Sequence, residues 1–146
     1  RGGLQMKLYE LVNEYHINTD LTCAEAMFRA CNEYYQLNLS DDAQKMFSIM
    51  GMGMQTEQSC CGAFTVAAGM IGLVTAQEGV TDCDNIRGFR MLCELTERFT
   101  DSFGTLHCVE LQHLEIPGFT DPCHALVEEI AKELEQLFSQ PTPYLN

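Results

Sequence analysis

The chain has 146 residues, 46% of them hydrophobic, with a formal net charge of -13 from 21 acidic and 8 basic side chains. That length supports one domain whose core needs no disulfide staples. The acidic balance excludes nucleic acid and argues against anionic membrane surfaces, because both reward lysine and arginine, while leaving a basic redox partner open. No apolar run approaches the roughly 20 residues of a membrane span, so no membrane insertion is expected. No leader with a basic start, an apolar stretch and a cleavage site is visible, and a cytoplasmic location is expected. Residues 1–5, ahead of Met6, read as an extraneous remnant.

Helical spacing runs from end to end and strand alternation is hard to find, which predicts an all-α fold: a single-domain bundle of about six or seven helices. Leu4, Leu8, Leu11, Val12 and Tyr15 form a first apolar stripe, ended by Asn18, Thr19 and Asp20. Asp20 or Thr19 is positioned to cap a second helix through Ala24, Met27, Phe28, Cys31 and Tyr35 to about Leu37. Ser40 caps a third through Ala43, Met46, Phe47 and Met50, stopped by the stretch from Gly51 to Met54. Ser59 is expected to cap a fourth, from Cys60 to about Thr75, which is uncharged and apolar on nearly every face and so reads as the buried central helix. Gly62, Gly69 and Gly72 each cost about 1 kcal/mol there against alanine, a cost that close approach by a neighbouring backbone or a cofactor would offset.

A loop from Gly79 to Asn85 leads into a long amphipathic helix, from about Asp84 to Phe103, with Gly104 placed to end it. Thr105 opens a short helix through Leu114, and Pro117 and Gly118 make a turn. Asp121 and Pro122 then start the last helix, through Leu126, Val127, Ile130, Leu134, Leu137 and Phe138. The tail from Pro141 is expected to be loose.

Four of the eight cysteines, Cys23, Cys61, Cys108 and Cys123, fall within a few residues of these helix starts. The unpaired N–H groups there and the positive end of the helix dipole lower a cysteine pKa and make the sulfur a better nucleophile or metal ligand. Four such sulfurs from four segments predict one shared site. Cys60 and Cys83 occupy comparable positions, so helix-start placement does not by itself select the set. Four thiolates can hold a 2Fe-2S or 4Fe-4S cluster or a structural zinc. Compact zinc sites draw their ligands in Cys-x-x-Cys pairs, whereas these four stand 38, 47 and 15 positions apart. Such spacing suits a cluster or a redox thiol set that the folded bundle assembles. Gly62 and Ala63, directly after Cys61, leave room for a bulky inorganic group.

Ordered along the chain, four segments resemble the redox-active protein family named for its C_GCAxxG_C_C cysteine pattern. They are Thr22-Cys23-Ala24-Glu25-Ala26, Cys61-Gly62-Ala63-Phe64-Thr65, the run from Phe103 through Gly104 and Cys108 to Leu111, and Cys123 ahead of the last helix. The match spans about residues 8–138. Val66 stands where the pattern has its final glycine. The resemblance selects Cys61 over Cys60, sets Cys83 aside, and implies redox or cluster-binding chemistry, since a related domain in a multihaem cytochrome is held to carry an iron-sulfur centre. No Cys-x-x-Cys-His haem attachment sequence occurs, so haem is not carried over.

The remaining candidates read as structural. Cys31 and Cys93 fall on apolar helix sides and are expected in the core, and Cys83, beside Asp82 and Asp84, in a loop. His107 and His124 neighbour Cys108 and Cys123 but are expected to be solvated or structural, with His16 and His113 weaker candidates still. Met46, Met50, Met52 and Met54 are expected to pack in the core or an interface. No catalytic residue is assigned. The expected function is electron transfer through an iron-sulfur cluster on Cys23, Cys61, Cys108 and Cys123, with an undefined redox partner. The alternatives are thiol-disulfide exchange or a non-enzymatic metal-binding or interaction module, with zinc as the other candidate metal.

Overall fold

The computed structural model describes residues 5–79 and 84–140, so Leu4, Cys83 and the tail from Pro141 lie outside the described residues. Seven α-helices are present among them, with no strand: α1 (Leu8–Ile17), α2 (Cys23–Tyr34), α3 (Asp41–Ser48), α4 (Gly62–Thr75), α5 (Ile86–Phe103), α6 (Cys108–Leu111) and α7 (Pro122–Ser139). The all-α expectation holds, with boundaries that differ where capping chemistry decides them.

Thr22 rather than Asp20 or Thr19 caps α2. Its hydroxyl accepts from the Glu25 N–H at 3.3 Å while the Glu25 carboxylate accepts from the Thr22 N–H, which makes a reciprocal capping box. Ser40 caps α3 as expected, but that helix ends at Ser48, before Met50. Ser59 caps nothing, because its carbonyl is committed across the chain to the Cys108 N–H, and α4 starts only after Cys61. The short helix expected from Thr105 to Leu114 contracts to the single turn of α6.

Helices α1 and α7 run antiparallel, as three links in descending register show. The Leu8 N–H donates to Glu135 (3.2 Å), the Asn13 amide to Glu128 (3.0 Å), and His16 meets His124. The end of α1 therefore lies beside the start of α7. Arg98 joins α5 to α7 through Glu133 at 2.7 Å and Gln136 at 2.9 Å. Helix α4 packs on α2, α5 and α7. Leu8, Val12, Met27, Phe28, Val66, Leu95, Phe99, Ile130 and Leu134 form one continuous core with it, each almost fully shielded from water. Its burial is greatest at its start, since Gly69, Leu73 and Val74 reach the surface near its end.

One expectation about packing needs correction and another is narrowed. Cys31 is buried as read, but Cys93 is exposed, because the apolar stripe of α5 is narrower than the sequence suggests and runs through Met91, Leu95 and Phe99. Of the four clustered methionines only Met50 packs against the core. Met46, Met52 and Met54 are 67%, 47% and 41% exposed, because α3 buries none of its residues and the segment after it turns outward.

Candidate redox centre

The sequence-selected cysteines occupy the first positions of four separate helices. Cys23 is the first residue of α2, Cys61 the cap of α4, Cys108 the first residue of α6, and Cys123 the second residue of α7 after Asp121 and Pro122. An antiparallel bridge pairs Cys60 with His107. In it the Cys61 N–H donates to the Leu106 carbonyl and the Cys108 N–H to that of Ser59, both at 2.9 Å. This pairing sets the starts of α4 and α6 side by side. The antiparallel α1 and α7 deliver Cys123 to the same place.

All four cysteines line one small apolar cavity of about 20 Å³, walled otherwise by Gly62, Leu111, Gln112, Leu126 and Val127. Cys60 does not line it, and its half-buried thiol bonds Thr65 instead. Val66, at the position of the motif's last glycine, faces the hydrophobic core and is absent from the cavity wall.

Backbone packs closely against the cysteines where glycine permits it. A Cβ on Gly62 would stand 2.6 Å from the Met50 carbonyl oxygen, 2.9 Å from Gly51 Cα and 3.1 Å from Cys23 Sγ. A Cβ on Gly53 would stand 2.6 Å from Cys108 Cβ, and Gly53 also has a φ of +57°. Around Gly53 the chain makes a left-handed turn through Met52, Met54, Gln55 and Glu57, whose φ values lie between 53° and 63°. Each such non-glycine residue costs about 1–2 kcal/mol, so the turn persists only because its surroundings hold it. The Gln55 side-chain amide donates to the Gly51 carbonyl at 3.1 Å and the Thr56 hydroxyl to that of Gly53 at 3.2 Å. The sequence marks this segment as a helix stop. Nothing in it signals a lid over the cysteines.

The four sulfurs differ electrostatically. Cys23 is lowered to about 6, because the Cys61 thiol and the N–H groups of Met52, Ala63 and Ala24 all donate to its sulfur and together outweigh its burial. Cys61 is raised well above the usual range, since it donates to Cys23, is buried, and faces the Cys23 charge. Burial raises Cys108, partly offset by Gln112, whose amide donates to its Sγ at 3.1 Å. Cys123 is pushed up to about 12 by burial and by the carboxylate of Asp121. The helix-start rule therefore holds for one sulfur of the four. Amides lower a thiol pKa only where they point at the sulfur, and at Cys123 the capping carboxylate opposes them.

Gln112 carries no sequence signal beyond its place four residues after Cys108, one helical turn on. The histidines take structural positions. His107 is exposed at the cap of α6. His16 and His124 share a hydrogen bond between their Nδ1 atoms at 2.8 Å, and burial lowers the His16 pKa. Neither ring lines the cavity. Among the described residues no three His, Cys, Asp or Glu side chains are close enough together to hold one metal ion.

Residues 21–137 match the family described as "Putative redox-active protein (C_GCAxxG_C_C)". The chain belongs to this family. All four cavity cysteines of this redox-active family member fall within the matched span, which begins just before α2 and ends within the last turn of α7. No curated protein and no solved structure matches the chain significantly. No helix among the described residues is long and apolar enough to cross a membrane.

Proposed function

We propose that Cys23, Cys61, Cys108 and Cys123 hold an iron-sulfur cluster used for electron transfer. The observation that carries this reading is the convergence of four sulfurs, from four helix starts, on one small apolar cavity with no carboxylate in its wall. That donor set has the softness a cluster requires. A single tetrahedral ion with metal-sulfur bonds of about 2.3 Å needs ligands crowded round one point. Here the four sulfurs come from separate segments 38, 47 and 15 positions apart, which suits a cluster assembled by the folded bundle better than a compact zinc site built on Cys-x-x-Cys pairs.

A cluster bound here would accept and release single electrons. The chain's own contribution is to supply ligands and control their surroundings. The amides of Met52, Ala63 and Ala24 stabilise negative charge on Cys23, and the Gln112 amide does so on Cys108. The close backbone at Gly53 and Gly62 covers the Cys108 and Cys23 side of the site. A reducing cytoplasm would keep the ligands free.

The test is anaerobic purification or reconstitution with iron and sulfide. Brown colour with stoichiometric iron and acid-labile sulfide supports the cluster, and loss of both in Cys108→Ser and Cys123→Ser assigns its ligands. Colourless protein with one zinc per chain overturns the reading.

The Cys23–Cys61 hydrogen bond favours a second reading, thiol-disulfide exchange. The Cys23 thiolate would attack a substrate disulfide and expel one substrate thiolate. Cys61, on losing its proton, would then attack Cys23 Sγ, leaving a Cys23–Cys61 disulfide and a fully reduced substrate. Metal-free protein with a reversible two-electron couple that Cys61→Ser abolishes, while Cys108→Ser and Cys123→Ser leave it intact, would favour this reading over the cluster.

A further inference from the structure

We propose that the left-handed turn carrying Met52 and Met54 is the docking surface for a basic electron-carrier protein, an inference that rests on the cluster reading above. The turn is the outer wall of the centre. The Met52 N–H donates to Cys23 Sγ, and Gly53 packs against Cys108 Cβ. One backbone segment thus touches two of the four candidate ligands while the Met52 and Met54 side chains point into solvent. Met46 and Ile49, on the segment leading into the turn, are exposed as well.

An ordinary surface turn would carry polar residues or glycine at positive φ. This one carries methionines, whose flexible and polarisable side chains suit contact with another protein. It also stands in a strained conformation that its packing against the cysteines preserves. The partner's sign follows from charge. Asp41, Asp42 and Glu57 flank this stretch, and Lys45, its one cation, is paired with Asp42 at 3.3 Å. Glu57 lies close enough to Cys108 to act on it electrostatically. With a net charge of -13 on the whole chain, a partner with a basic rim around an apolar contact is attracted and an acidic one repelled.

A second exposed apolar group, Leu73, Val74, Ile86 and Phe89, lies at the far end of α4 and the start of α5. It is separated from the cysteines by the length of α4, about 20 Å, and serves as a built-in control.

The experiment titrates isotope-labelled protein with a basic c-type cytochrome and follows amide NMR shifts at low salt. Shifts confined to residues 46–57 and their neighbours at 107–112, lost at high salt, are expected. Shifts centred on 73–89, or none, overturn the proposal. Electron transfer from the reduced cluster is then timed. The double variant Met46→Asn, Met54→Asn changes two exposed side chains, asparagine accepting the left-handed backbone at position 54, and should slow reaction with the cytochrome at least tenfold. Reaction with the small cation hexaammineruthenium should stay within twofold, as should the cytochrome reaction of Phe89→Asn. A cytochrome rate unchanged in the double variant overturns docking at the turn. Site-confined shifts in a protein that takes up no iron would sink the cluster reading while leaving the docking surface in place.

Discussion

Cys23 and Cys123 both stand in the first turn of a helix, on the wall of the same cavity, yet one is lowered to about 6 and the other pushed up to about 12. The difference lies in what faces each sulfur. Three backbone N–H groups and a thiol converge on Cys23, three of these four donors from outside its own helix. Cys123 meets the carboxylate of its own cap, whose Oδ1 accepts the Cys123 N–H at 2.9 Å. A helix start is an opportunity for a thiolate, and the surrounding chain decides whether it is taken.

The sharpest way to break this contrast is to remove its charged member. At pH 7 a thiol with a pKa near 6 is mostly ionised, whereas an ordinary one is about 3% so. Cys23→Ser should therefore lower the fast phase of iodoacetamide alkylation in the metal-free protein at least tenfold. Cys123→Ser should leave that phase unchanged.

Stability should carry the same signature. A folded-state pKa depressed below the unfolded value stabilises the fold fully above the unfolded pKa, and that stability is lost as pH falls toward 6. The raised Cys31 and Cys123 act oppositely: their unfolded thiols ionise near 9 while the folded ones stay protonated to about 12, so stability falls as pH rises through that window. Urea unfolding of reduced, metal-free protein should give a maximum between about pH 7 and 9. In Cys23→Ser the rise on the acid side should flatten.

The glycines offer a second comparison. Gly62→Ala forces a Cβ against the Met50 carbonyl and Gly51, and should destabilise by about 2–3 kcal/mol and abolish iron uptake. Gly72→Ala, in the same helix with nothing within 4 Å, should stabilise by up to about 1 kcal/mol, read by the same urea titration.

Smaller effects refine the picture on the Cys108 and Cys123 side. Gln112→Leu removes the donor to Cys108 and should cost about 1 kcal/mol while slowing Cys108 alkylation several-fold at pH 8. Asp121→Asn keeps a capping oxygen but removes the charge, so Cys123 should alkylate a few-fold faster at pH 9, followed by peptide mass spectrometry.

The sequence by itself determined the all-α class, the order of the helices and the placement of four cysteines at the starts of four of them. Those properties depend on spacing within one or two turns, so local pattern expresses them. It also placed Cys31 in the core, while Cys93 escaped because an apolar-looking helix side does not reveal how wide a stripe its neighbours cover. Tertiary structure decided the rest. The bridge between residues 59–61 and 106–108 turned Cys61 inward rather than Cys60. The chain from Met50 to Gly53 folded over the cavity, bringing an amide to Cys23 and exposing the methionines. Gln112 became a partner of Cys108. Each of these depends on the direction of an N–H or a sulfur relative to a segment far away in sequence, and such directions are set only when the helices pack.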